Sequence, residues 1–126
     1  MELKSKIQNA YTLSKSYPEL VKALMEIGMR SYTVDVATGI TLYRFDEGNN
    51  SLHSVEGIPR SIKEKFNKDE TFQAVKDSQA GKITYPEFMD AIAKSGVRFY
   101  ESTLNGDKKR VTYIGTGGYY EELIPV

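Results

Sequence analysis

Apolar side chains recur along this chain in two rhythms. From Leu3 to Ser14, residues Leu3, Ile7, Ala10 and Tyr11 share one helical face, and Leu20, Val21, Leu24 and Ile27 do so in the next segment. Two runs of strand composition follow, Arg30 to Val36 and Ile40 to Phe45. The turn signal Ala37-Thr38-Gly39 between them predicts a hairpin. After Gly48-Asn49-Asn50 a third short strand is predicted from Val55 to Pro59. The order then starts again. Phe72 and Val75 mark a helix from Glu70 to Ser78, and Phe88, Met89 and Ile92 mark a second one. Arg98 to Leu104 and Arg110 to Ile114 form a hairpin about Asn105-Gly106-Asp107, and Glu121 to Pro125 is a last strand.

The restart is a repeat. Residues 17–32 (YPELVKALMEIGMRSY) and 85–100 (YPEFMDAIAKSGVRFY) align without gaps at an offset of 68, with seven identities in sixteen positions. Average residue frequencies give roughly one by chance. The punctuation agrees as well: Ser16-Tyr17-Pro18-Glu19 and Thr84-Tyr85-Pro86-Glu87 each read as a capping box with Pro in the first turn. Gly28 and Gly96 supply the left-handed residue that ends each helix, and each copy closes on Ile-Pro, at Ile58-Pro59 and Ile124-Pro125. The expected fold is α+β, a tandem degenerate repeat of a helix-helix-strand-strand-strand unit with an antiparallel sheet packed against the helices. Unit one covers about residues 1–66 and unit two about 67–126, within a single domain of 126 residues.

The segments GKITYPEF, SGVRFYE and VTYIG, the terminal Ile-Pro, and GMRSYTVDVATG in the first copy resemble a family of uncharacterised bacterial and prophage proteins. Its members are often labelled phage envelope protein. The resemblance covers nearly the whole chain and implies the α+β fold and a bacterial or prophage origin. It supplies no catalytic residues. Many members carry Cys after the Tyr-Pro-x-Phe motif, where Met89 stands here, so no thiol role is implied for this chain.

Composition narrows the function classes. Seventeen basic and seventeen acidic residues leave no net charge, and each half is balanced, so no global field draws the chain to nucleic acid or an anionic membrane. With no Cys there is no disulfide framework, thiolate metal site or cysteine nucleophile. The apolar runs are too short to span a bilayer and the first residues lack a secretory apolar stretch, so a cytoplasmic, membrane-free protein is expected.

Local motifs mostly take structural readings. Lys76 to Phe88 is similar to a calcium loop in placing Gly81 sixth and Glu87 twelfth, but Lys76, Ser78 and Ala80 stand where oxygen ligands are needed. His53, the only histidine, has no metal-ligating or nucleophilic partner at a recognisable spacing. Gly115-Thr116-Gly117-Gly118 leads into a strand, not a helix, and so reads as a hairpin turn rather than a phosphate loop. Lys108-Lys109-Arg110 is one short basic cluster beside acidic residues, which argues against nucleic-acid binding.

The tyrosines stand apart. Six of nine recur between the copies, as Tyr17/Tyr85, Tyr32/Tyr100 and Tyr43/Tyr113. Strict alternation places Arg30 beside Tyr32 and Arg98 beside Tyr100 on one strand face. If the copies pack about a pseudo-twofold axis, these strips flank a common groove for a small anionic or aromatic ligand. The competing reading is structural: Tyr covers a half-buried sheet, and the arginines pair with carboxylates such as Glu101 or Asp35. The candidate ligand-binding set is therefore Arg30, Tyr32, Tyr43, Arg98, Tyr100 and Tyr113, with no catalytic residue, metal or cofactor assigned. The function expected is a small non-enzymatic binding or interaction protein. An enzyme using carboxylate or tyrosine acid/base groups on the sheet and a phage structural component are the alternatives. Partners stay open, a homodimer through the last strand being one arrangement, with Pro125 limiting its length.

Overall fold

The computed structural model describes residues 2–124. Helix α1 (Leu3–Leu13) and α2 (Tyr17–Glu26) precede β1 (Met29–Asp35), β2 (Thr41–Phe45) and β3 (Asn50–His53). Helix α3 (Lys68–Gln79) and α4 (Tyr85–Lys94) precede β4 (Val97–Thr103), β5 (Arg110–Gly115) and β6 (Gly118–Leu123). The α+β expectation holds, and both halves run helix, helix, strand, strand, strand. All six strands join one antiparallel sheet in the order β3-β2-β1-β4-β5-β6. That order is symmetric about the β1–β4 seam, where Thr33 faces Glu101, its own repeat mate at the offset of 68. A pseudo-twofold axis therefore passes through this pair. A second repetition fixes it: Val36 N–H donates to the Arg98 carbonyl at 3.0 Å, and Leu104 N–H to the Arg30 carbonyl at 2.8 Å.

One core runs beneath the helices. It takes Val21 and Leu24 from α2, Met89 and Ile92 from α4, and alternate residues of the strands, including Val34, Phe45 and Val111. The helices pack mainly in pairs, α1 on α2 and α3 on α4, and the opposite sheet face stays uncovered. Leu24 and Ile92 are both wholly buried. Leu24→Ala or Ile92→Ala is expected to cost about 2–5 kcal/mol in urea unfolding, from lost transfer energy plus the cavity left behind. A change under about 0.5 kcal/mol would place the residue outside the core.

Several local expectations are corrected. The third strand of the first copy is Asn50–His53, upstream of Val55 to Pro59, because β2 turns into it through a short 3-10 turn (Asp46–Gly48). Ile58 is then almost fully exposed, whereas Ile124 is buried, so the two isoleucines are not structural equivalents. Pro125, in the last predicted strand, lies outside the described residues; that strand begins earlier, at Gly118. The reciprocal capping box forms at Thr84/Glu87 but not in the first copy. There Ser16 still accepts from Glu19 N–H, while the Glu19 carboxylate turns to Lys15 N–H at 2.7 Å. The glycine run does form a tight hairpin, with Gly115 opposite Gly118.

Candidate functional site

Both first strands open with a β-bulge. Met29 faces Phe45 and Ser31 faces Arg44, which leaves Arg30 as the extra residue; Val97 and Phe99 likewise flank Arg98. A bulge shifts the alternation by one, so Met29 and Tyr32 both point to the core while Arg30 turns to solvent. The same holds for Val97, Tyr100 and Arg98. The Arg-Tyr strip expected from strict alternation therefore does not form. Arg30 meets Asp46 at 3.5 Å, and Arg98 lies over the Phe99 ring, 5.6 Å from its centroid. Neither arginine takes the carboxylate partner expected for it. Glu101 is held by Arg44 at 3.5 Å and by the Thr33 hydroxyl at 3.0 Å, and Asp35 accepts from Thr38 N–H and Oγ1.

The four predicted tyrosines do come together. Tyr32, Tyr43, Tyr100 and Tyr113 are all buried on the helix side of adjacent strands. Tyr32 and Tyr43 stack at a tilt with centroids 5.7 Å apart, and Tyr100 and Tyr113 repeat this at 5.4 Å. Three more tyrosines reach them from the helices. Pro in the first turn and the Ser16 or Thr84 cap set the start of α2 and α4, which aims Tyr17 and Tyr85 down at the sheet. Tyr17 Oη lies 2.9 Å from Tyr32 Oη, and Tyr85 Oη lies 2.7 Å from Tyr100 Oη, the same bond in each copy. Tyr11 of α1 stands close enough to Tyr43 for each phenol to shift the other.

Symmetry is broken at one polar position. Ser102, wholly buried, stands where the first copy has Val34, and its hydroxyl lies 2.8 Å from Tyr17 Oη. Tyr17 thus joins a three-hydroxyl chain across the repeat seam, whereas Tyr85 joins a pair. Removal from water is the main reason that all seven phenols are pushed above their ordinary range, most strongly at the buried Tyr32 and Tyr100. Phenols so held stay neutral near pH 7 and work there as hydrogen-bonding groups rather than as bases. Tyr11, Tyr17 and Tyr85 are themselves partly exposed residues.

Over residues 5–119 the chain matches a family described as protein of unknown function, DUF1398. The chain belongs to that family. No curated protein matches it. Within this DUF1398 member a second polar cluster lies at the edge of the sheet, where Glu122 accepts from Lys76 Nζ, Gln79 Nε2 and Tyr120 Oη. Burial alone would raise the Glu122 carboxyl, but the hydrogen bonds from Gln79, Lys76 and Tyr120 outweigh it and hold it below its usual range. Tyr120 is pushed up to about 12, first by burial and then by that same carboxylate. Among the described residues no group of three or more His, Asp or Glu is placed to hold a metal ion, and no helix is long and apolar enough to cross a membrane. Sequence reasoning missed the part of Tyr17, Tyr85, Tyr11 and Ser102 in the cluster. The identity of Tyr17 with Tyr85 at matched positions was the available signal for two of them.

Proposed function

We propose that the chain is a non-enzymatic binding protein that offers the tyrosine cluster at its repeat seam to a small neutral or aromatic ligand. One observation carries this reading: seven tyrosines converge about the β1–β4 seam, and three of them, Tyr11, Tyr17 and Tyr85, are partly exposed residues above a hydroxyl-rich floor. Exposed Tyr offers large, stiff contact area with a polar tip, which suits recognition. Tyr32, Tyr43, Tyr100 and Tyr113 form the floor in this reading. Arg30 and Arg98 drop out, because their bulges carry them off the tyrosine face. The two copies are read as one domain because β1–β4 pairing and a common core join them. Bacterial or prophage origin and cytoplasmic residence belong to the same reading. The carboxylate-enzyme alternative is weakened by the engagement of Glu101 with Arg44 and Thr33.

A thermal-shift screen of small aromatic compounds and metabolite anions tests this. An aromatic compound is expected to stabilise the wild type, and Tyr17→Ala or Tyr85→Ala to abolish that shift, while Arg30→Ala and Arg98→Ala preserve it. A shift from anions alone, a shift that survives both tyrosine variants, or no shift at all would overturn the reading. Native mass spectrometry of the same sample reports any bound compound and the stoichiometry, and particles far larger than a dimer would favour the phage structural alternative.

A further inference from the structure

The segment between the copies is a strap. Arg60, Lys63 and Asn67 N–H donate to the carbonyls of Ala37, Ala93 and Ser95 at 2.7, 3.0 and 2.8 Å, so the strap bridges the end of β1 and the end of α4. Arg60 Nε meets Asp90 at 2.7 Å. Ile62 and Phe66 pack against the core from this segment. Gly96 makes room for it, since a Cβ there would stand 2.8 Å from both the Lys65 carbonyl oxygen and Phe66 Cα.

The pseudo-twofold axis maps this strap site onto a second place. Ala37, Ala93 and Ser95 map to Asn105, Met25 and Ile27, and Gly96 maps to Gly28, which has the same φ of 89°. At that second place the surface forms a depression of about 320 Å³, lined among others by Met25, Gly28, Arg30, Asp46, Asn105 and Lys109. Over Gly28 a Cβ would meet only the Asp46 side chain, at 3.1 Å, and no backbone. The framework of a strap site is therefore present twice, while one strap serves the chain.

Two differences define what the second site would take. Phe66 lies over Gly115 and Gly118 in the second copy, whereas in the first copy the strand position of Gly115 is held by Phe45, itself buried. The aromatic anchor is thus supplied from within, and an occupant needs none. The charge is inverted as well: Asp90, which receives Arg60, maps to the exposed Lys22, and Lys109 stands on the rim. Asp46 is the acidic lining residue, and it is engaged by Arg30.

We propose that this depression docks an extended acidic segment of a partner protein in the manner of the strap. Its backbone N–H groups bond the Asn105 and Met25 carbonyls, a small aliphatic side chain rests on Met25, and its carboxylates face Lys22 and Lys109. The site is separate from the tyrosine cluster and does not depend on it.

The probe is a labelled peptide of the residue 60–67 sequence with glutamate in place of its basic residues, read by fluorescence anisotropy against the full chain. The native-sequence peptide is the control. The acidic peptide is expected to bind about tenfold or more tighter than the native one, and Lys22→Glu combined with Lys109→Glu to erase that preference. Backbone NMR shifts are expected within residues 25–30 and 104–109. Lys22 is exposed and Lys109 half-buried, and neither belongs to the core, so the lysine variants leave the core intact. Absence of binding, binding that the lysine variants leave unchanged, or shifts centred on the tyrosine cluster or the open sheet face would overturn the proposal. So would a concentration-dependent dimer that the peptide disperses, which would assign the depression to a second copy.

Discussion

Raising the pH above about 10, where unfolded tyrosines ionise, is expected to unfold the protein in one steep transition. Tyr32, Tyr43, Tyr100 and Tyr113 are buried, and burial pushes each phenol above its ordinary value. A raised native pKa means that the folded state holds the proton more tightly than the unfolded one. The stabilisation is complete below the unfolded value and is lost as pH climbs from there toward the native value. Each such phenol removes about 1.4 kcal/mol per pH unit in that window, so four acting together remove about 5 kcal/mol per unit. Tyr11, Tyr17 and Tyr85 are partly exposed, and solvent screening reduces what they add. A loss on that scale is comparable with a typical stability of about 5–15 kcal/mol, so the fold should give way as pH climbs above about 10. Tyrosinate absorbance and loss of ellipticity should rise together, and Tyr32→Phe with Tyr100→Phe should flatten the slope. If Tyr32, Tyr43, Tyr100 and Tyr113 ionise near their ordinary value while the fold persists, the four are not buried as their packing requires.

The architecture was legible because the repeat doubled every signal. One Gly after a helix is weak evidence for a cap; Gly28 and Gly96 at matched positions were strong evidence, and both have a φ of 89°. Strand pairing across the seam had no local signature, since it joins residues 64 to 72 apart. The candidate site was half legible for the same reason. Tyr32, Tyr43, Tyr100 and Tyr113 were found by their recurrence, but a bulge is invisible to a period of two, so Arg30 and Arg98 were placed on the wrong face. Tyr11 and Ser102 lack repeat mates of their own kind, and only packing brings their hydroxyls into the cluster. The strap was illegible because it occurs once. Phe66 looks like an isolated aromatic in a charged linker until Gly115 and Gly118 are seen beneath it.

The strap also makes two equivalent glycines unequal under mutation. Gly28→Ala and Gly96→Ala impose the same backbone penalty, about 1–2 kcal/mol for an L residue in the left-handed region. Their surroundings then separate them. At Gly28 the new methyl meets the Asp46 carboxylate, an exposed side chain that can swing away. At Gly96 it meets the Lys65 carbonyl and Phe66 Cα, and yielding there means lifting the strap. Overpacking against backbone adds about 1–3 kcal/mol, so Gly96→Ala should cost about 2–5 kcal/mol in urea unfolding and Gly28→Ala about half of that or less. Gly115→Ala carries no left-handed penalty, yet its methyl would stand 2.6 Å from both the Gly96 carbonyl oxygen and Phe66 Cδ1. Phe66→Ala added to Gly115→Ala should therefore recover part of the loss, whereas independent sites would add. Hydrogen exchange locates the effect: Lys63 and Asn67 amides, bonded to Ala93 and Ser95, should lose protection in Gly96→Ala and keep it in Gly28→Ala. Equal destabilisation by the two alanines would mean that the strap does not bear on the second copy as tightly as its contacts require.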